Sequence, residues 1–223
     1  MLLPLAQAGY EITGLDFSTQ MLDRCRAKLE ATPAEMRDRV SLVMGDMASF
    51  DLDRKFSAIF CSFNSFHHLR TVDDQLSCLE SCHSQLAPQG MLVLDLFNPD
   101  PAPSSIKTES ADGETILETK NGESCVDVVE WTEGRTVRRW MSSCVYNRPL
   151  QCNECEMTYE IGEADGSSIR VTETFPMRLM YRYELEHLLA RCGFRMIGLY
   201  GDDDRSPFTD ESVGMIAVAF RKD

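Results

Sequence analysis

Asp16 and Asp46 each close an apolar run, and these are the residues best placed to bind something. In GLDFSTQML, Gly14 to Leu22, the run ends at Asp16, and Phe17 follows. Ser18 then opens a helical spacing through Met21, Leu22, Cys25 and Leu29. This reads as a strand, a tight turn and a helix with a serine N-cap. In an open α/β sheet ligands bind outside the carboxyl ends of the strands. A carboxylate there accepts both hydroxyls of a ribose. The plainer alternative is a solvated aspartate at an ordinary strand–helix corner. Val40 to Met44 repeats the arrangement and ends in Gly45-Asp46-Met47. Phe56 to Phe63 is a near-continuous apolar run, as in a parallel strand buried on both faces. It leads into Asn64-Ser65-Phe66-His67-His68. Histidine exchanges a proton near neutral pH, so this segment adds acid–base chemistry at the same edge.

The 223 residues suit one α/β domain carrying an insert. The net charge of −14 repels phosphate backbones and anionic membrane surfaces. No apolar run approaches a membrane span, and MLLPLAQAG lacks the basic region of a signal peptide. The expected setting is cytoplasmic. Nine cysteines, scattered through apolar segments, read as reduced thiols. Cys152 and Cys155 form the one CxxC, too little for a zinc site, so no metal is expected.

Leu2, Leu3, Leu5 and Ala6 have helical spacing, stopped by Gly9. A helix is expected from Ser18 to Ala31, closed by Pro33, and another from Asp73 to Leu86, ended by Pro88 and Gly90. Met91 to Phe97 is a third buried strand. From about Ser104 to Thr174 helical spacing disappears. Asn121-Gly122, Glu133-Gly134 and Asp165-Gly166 separate runs rich in Val, Thr, Trp and Tyr. These are hairpin signals, and they predict an inserted antiparallel sheet of four or five strands, with Pro149 breaking or bending one. Tyr183 to Cys192 returns to helix, and two strands follow, Phe194 to Tyr200 and Val213 to Phe220. Lacking a crossover helix, these two should pair antiparallel.

Five segments in this order resemble class I S-adenosylmethionine (SAM)-dependent methyltransferases: GLDFSTQML, VSLVMGDMASF, FSAIFCSFNSFHHL, LAPQGMLVLDLFNP and ELEHLLARCGF with its two strands. The resemblance implies a Rossmann-like core over residues 1–103 and 175–223, with 104–174 as an antiparallel β insert. It implies SAM as cofactor. Asp16 would accept the ribose hydroxyls, and Phe17 and Met21 would pack on the adenine. Asp46 would accept from the adenine amino group, with Gly45 and the Met47 N–H beside it. The backbone at Ser62 and Phe63 would face the methionine moiety.

FNSFHHL resembles the matching part of sugar-amine N-methyltransferases, where a histidine before the leucine faces the substrate. That implies His68 as the proton acceptor, with His67 the lesser candidate; Asn64 would orient a substrate hydroxyl or amine, or simply satisfy the turn. Helix capping by His68 is the plainer alternative. The expected reaction is methyl transfer to nitrogen or oxygen of a small molecule, with a homodimer possible through the insert. The insert's Trp131, Trp140, Tyr146 and Tyr159 would line the cleft or fill the insert's own core. Arg178, Tyr181 and Arg182 would meet an anionic substrate group or form a solvated cluster.

One departure stands out. The family's first strand and glycine-rich loop should precede the helix that already holds Leu2, so the chain is expected to be N-terminally incomplete. The missing strand would lie between those ending at Asp16 and Phe63. The rival readings are a degenerate methyltransferase-like domain used for binding or dimerisation, and a nicotinamide-dependent oxidoreductase with a parallel last strand.

Overall fold

The computed structural model describes residues 2–99, 124–130, 136–147, 149–163 and 165–222, without side chains for 124–130 and 141–145. Helix α1, Leu2–Gln7, ends before Gly9, whose φ of 95° is open to glycine and costly for other residues. Strand β1, Ile12–Asp16, feeds helix α2, Thr19–Glu30. Ser18 caps α2 by accepting the Met21 N–H at 3.3 Å. Beyond Pro33 a short helix α3, Ala34–Arg37, precedes strand β2, Val40–Met44. Parallel pairing of β1 with β2 sets Asp16 opposite Met44.

Strand β3, Phe56–Cys61, runs into a 3-10 turn, Ser65–His68, and then helix α4, Val72–Gln85. Strand β4, Leu86–Phe97, starts where α4 stops. It is longer than the apolar run because Leu86 already stands opposite Phe56. After the insert come helix α5, Arg182–Arg191, and strands β9, Phe194–Tyr200, and β10, Gly214–Arg221. These build a sheet of order β3-β4-β10-β9, in which β3 runs parallel to β4 and β10 antiparallel to both its neighbours. The reversed final pair stands as the sequence predicts.

One face of this sheet carries the core. Leu92, Leu94 and Leu96 alternate inward from β4, and Met215, Ala217 and Ala219 from β10. Cys78, Leu79 and Cys82 of α4 and Leu185 and Leu189 of α5 pack onto them. Full burial of one such leucine is worth about 1.5–3 kcal/mol. The sheet breaks between β1 and β3: among the described residues β1 pairs only with β2, and β3 only with β4. This is where the resemblance puts a further strand. The smaller sheet is fastened through the loop after β2. Phe50 N–H donates to Ser81 Oγ at 3.2 Å, and Leu52 N–H to Gln85 Oε1 at 3.1 Å.

The insert is an antiparallel sheet in sequence order: β5, Ser124–Glu130; β6, Thr136–Asn147; β7, Cys152–Gly162; β8, Ser168–Arg178. Asp165-Gly166 turns between β7 and β8, with Ser167 N–H on Asp165 Oδ1 at 2.9 Å. Asn121-Gly122, Glu133-Gly134 and Trp131 lie outside the described residues. Pro149 sits in the reversal between β6 and β7, so it ends a strand rather than bending one.

The reading of all cysteines as thiols needs correction: Cys155 is disulfide-bonded. Its ladder position opposite Cys144 follows from strand pairing, to which linear spacing gives no guide. Cys25, Cys61, Cys78, Cys82, Cys152 and Cys192 are free. Burial pushes the Cys61 thiol up to about 12, so it stays protonated.

Candidate functional site

The pairing of β1 with β2 brings the two aspartates to one edge. Gly45 N–H donates to the Asp16 carbonyl at 3.1 Å, which places Asp46 just beyond. Gly45 lets the chain pass close to Leu15 there, since a Cβ would stand 2.7 Å from Leu15 Cδ1 and force that side chain to shift. Each carboxylate is half engaged in its own turn. Asp16 Oδ1 accepts the Ser18 N–H at 2.8 Å, and Asp46 Oδ1 accepts the Ala48 N–H at 2.8 Å. The second oxygen of each carboxylate has no such turn bond. Phe17 is 78% exposed, Phe63 75%, Met44 65% and Met21 57%. Phe17, Met21 and Met44, on the segments that carry or pair with Asp16, leave large apolar side chains to solvent beside the carboxylates, which suits a ligand with an apolar face and hydroxyl or amino donors. Met47 differs, since its side chain packs against the core.

The chain leaves β3 through two consecutive left-handed residues, Phe63 at φ 55° and Asn64 at φ 60°. Such backbone is costly for non-glycine residues and persists only when neighbours impose it. Asp95 imposes it here: its Oδ2 accepts the Phe63 N–H at 2.9 Å, and its carbonyl accepts the Asn64 N–H at 3.2 Å. Sequence reasoning missed Asp95. The signal was present, a carboxylate inside the apolar run MLVLDLF. Asp95 also lines a cavity of about 260 Å³ with Gly201, Asp202, Asp203, Val213, Gly214 and Ile216.

The two histidines that follow are separated by the fold. His68 is exposed, and its ring stands 6.0 Å from that of Phe175 on β8. It does not cap α4, because Thr71 does so by accepting the Asp74 N–H at 3.1 Å. The Asn64 side chain makes no capping bond to the 3-10 turn. His67 is buried.

Arg178 is not free for a substrate. Its guanidinium donates to Leu150 O, Gln151 Oε1 and Glu184 Oε1 at 2.9, 2.8 and 2.9 Å. Arg182 lies over the Tyr183 ring at 5.1 Å. Trp140 is buried under the Arg170 guanidinium, inside the insert rather than lining a cleft. Tyr146 and Tyr159 are half-buried.

Residues 1–90 match the family described as "Methyltransferase domain". The chain is 27% identical over 192 residues to the dTDP-3-amino-3,4,6-trideoxy-alpha-D-glucopyranose N,N-dimethyltransferase of Streptomyces venezuelae, covering 86% of this chain and 69% of that protein. The CcbJ methyltransferase from Streptomyces caelestis has the same fold, at a TM-score of 0.72 and 23% identity, over 99% of this chain and 78% of that one. Residues 1–90 carry a methyltransferase domain, on the fold of the class I SAM-dependent methyltransferases. The chain is also 32% identical over 200 residues to the glycine/sarcosine N-methyltransferase of Halorhodospira halochloris, covering 89% of this chain and 62% of that protein. The antiparallel final strand pair and the methyltransferase domain match stand against the oxidoreductase reading. The donor set at the edge, two carboxylates with apolar faces beside them, suits the adenosine part of SAM.

Proposed function

We infer that this methyltransferase transfers a methyl group from SAM to a nitrogen of a small-molecule amine, with amino sugars as the substrate class. The observation that carries the reading is the pair of carboxylates, Asp16 and Asp46, side by side at the end of β1 and β2 with the exposed Phe17 ring beside them, in the segment that matches the methyltransferase domain. The Streptomyces venezuelae and Halorhodospira halochloris relatives are both named N-methyltransferases, which favours nitrogen over oxygen.

Bound SAM supplies an electrophilic methyl carbon on its sulfonium. The chain's task is to hold the partners in line and keep water out. Asp16 accepts the ribose hydroxyls, and Phe17 and Met21 cover the adenine. Asp46 takes the adenine amino group, with Gly45 allowing close approach and the Met47 N–H toward the ring. The backbone of Ser62 and Phe63 faces the methionine moiety. An ammonium has no lone pair to attack with, so the substrate nitrogen must lose a proton. Exposed His68 is the group for that step, with Asn64 orienting the amine.

The division into a core of residues 1–103 and 175–223 and a wall of 104–174 belongs to the same reading. So do a cytoplasmic setting and use of the insert as a homodimer face. The net charge of −14 supports a small-molecule partner over nucleic acid.

The test is in two steps. S-adenosylhomocysteine is titrated calorimetrically into the protein. SAM and a dTDP-linked 3-amino sugar are then incubated with it, and the product is weighed by mass spectrometry. Binding followed by N-methylation is expected. Binding with methylation only of hydroxyl acceptors moves the assignment to oxygen. Absence of binding removes the cofactor roles given to Asp16 and Asp46.

A further inference from the structure

His67 and His68 are adjacent in sequence and opposite in environment. His67 is 1% exposed, while His68 faces solvent. The His67 ring is held on two sides. Its Nδ1 lies 2.6 Å from the Arg178 carbonyl, and a carbonyl only accepts, so Nδ1 carries the hydrogen. Its plane stacks on Phe97 at 4.0 Å and 20°. Nε2 is buried without a hydrogen-bond partner. A second proton would put a charge in this buried site, which burial opposes, so the ring stays neutral near neutral pH. Burial drives its pKa down to about 4, against the smaller opposing pulls of the Arg178 and Phe97 backbone; His68 and Asp95 are the titratable groups that face it.

Arg178 is in turn a junction. Its side chain reaches the β6–β7 turn at Leu150 and Gln151 and the first turn of α5 at Glu184. Leu179 N–H adds a bond to Gln151 O at 2.8 Å. The β6–β7 turn, the end of β8 and the start of α5 therefore form one block, where the insert rejoins the core. His67 ties the 3-10 turn to that block. On the opposite side Asp95 holds the entry to the same turn through Phe63.

We propose that His67 is a positioning residue, whose Nδ1–H bond to the Arg178 carbonyl fixes the His68-bearing turn to the hinge of the insert. The orientation of His68 and the seating of the insert are set together. The consequence for catalysis rests on the function proposed above for His68; the mechanical link does not.

Two variants separate the hydrogen bond from packing. His67→Phe keeps a ring on Phe97 and cannot donate. His67→Asn keeps an N–H near the Nδ1 position. With SAM and a dTDP-linked 3-amino sugar, His67→Phe is expected to lower kcat about 10²-fold and leave KM for SAM within about twofold. His67→Asn should recover most of that loss. Unchanged kcat in His67→Phe, or equal loss in both variants, would overturn the proposal, the second outcome assigning the effect to packing.

A second measurement needs no substrate. Imidazole ¹H–¹⁵N spectra should show wild-type His67 in the Nδ1–H tautomer, without titration above about pH 5. The His68 signals should shift in His67→Phe and return in His67→Asn. An Nε2–H tautomer, or unmoved His68 signals, overturns the link even if one variant fails to fold. Absence of methyl transfer by the wild-type protein counts against the amino-sugar reading alone, and the spectra then decide the role of His67.

Discussion

The Asp95 carboxylate accepts the Phe63 N–H at 2.9 Å and so holds a left-handed pair, Phe63 and Asn64, at the mouth of β3. The turn stores backbone strain, and a strand residue distant in sequence restrains it. Removing the acceptor frees a turn that has no intrinsic reason to keep its shape. Asp95→Ala should cost about 1.5–3 kcal/mol, the usual worth of a hydrogen bond to a charged group. Asp95→Asn, which retains an acceptor, should cost less. Urea denaturation midpoints at constant slope check both.

Asp16 and Asp46 give a test of the binding edge that stability does not confound. Asp16→Asn keeps an oxygen for the Ser18 N–H, and Asp46→Asn one for the Ala48 N–H, so the melting temperature should barely move. Affinity for S-adenosylhomocysteine should fall about 10–100-fold for Asp16→Asn, the equivalent of about 1.5–3 kcal/mol. Phe17 is 78% exposed, so Phe17→Ala should change stability by less than about 0.5 kcal/mol while weakening the same ligand. Calorimetry beside thermal melts separates the two effects.

Arg178 should prove structural. Its side chain is 10% exposed, and it satisfies two groups of the β6–β7 turn as well as Glu184. Breaking a buried pair by removing one partner costs about 3–5 kcal/mol. Arg178→Met should approach that loss in chemical denaturation. Glu184→Gln should cost less, because its oxygen can still accept and it is partly solvated.

The pH dependence of stability should carry the signature of His67. Its folded pKa of about 4 lies below the ordinary 6.5, so the unfolded chain binds the extra proton first. The associated stability is complete above about pH 6.5, falls as pH drops toward 4, and is level below that. The full swing is about 3 kcal/mol. His67→Phe should show a flatter stability profile over that window, measured by denaturant titrations at several pH values.

The sequence by itself determined the parts governed by local chemistry. Ser18 caps α2 because its hydroxyl reaches the Met21 N–H, within one turn. The alternation of Leu92, Leu94 and Leu96 marks the buried face of β4, and the absence of a crossover helix forces β9 and β10 antiparallel. Strand ends followed by acidic residues located Asp16 and Asp46 without coordinates.

Tertiary structure alone decided which long-range partners met. Nothing local in FNSFHHL says that His67 is buried and His68 exposed. That follows from Phe97 and the Arg178 carbonyl arriving from strands far along the chain. The same holds for Asp95, whose use depends on the turn lying beside β4, and for Arg178, whose charge is consumed by turns that spacing cannot place next to it. Capping and periodicity act over one helical turn or one strand. Burial and long-range hydrogen bonds depend on which strands pair, and pairing is a property of the whole chain.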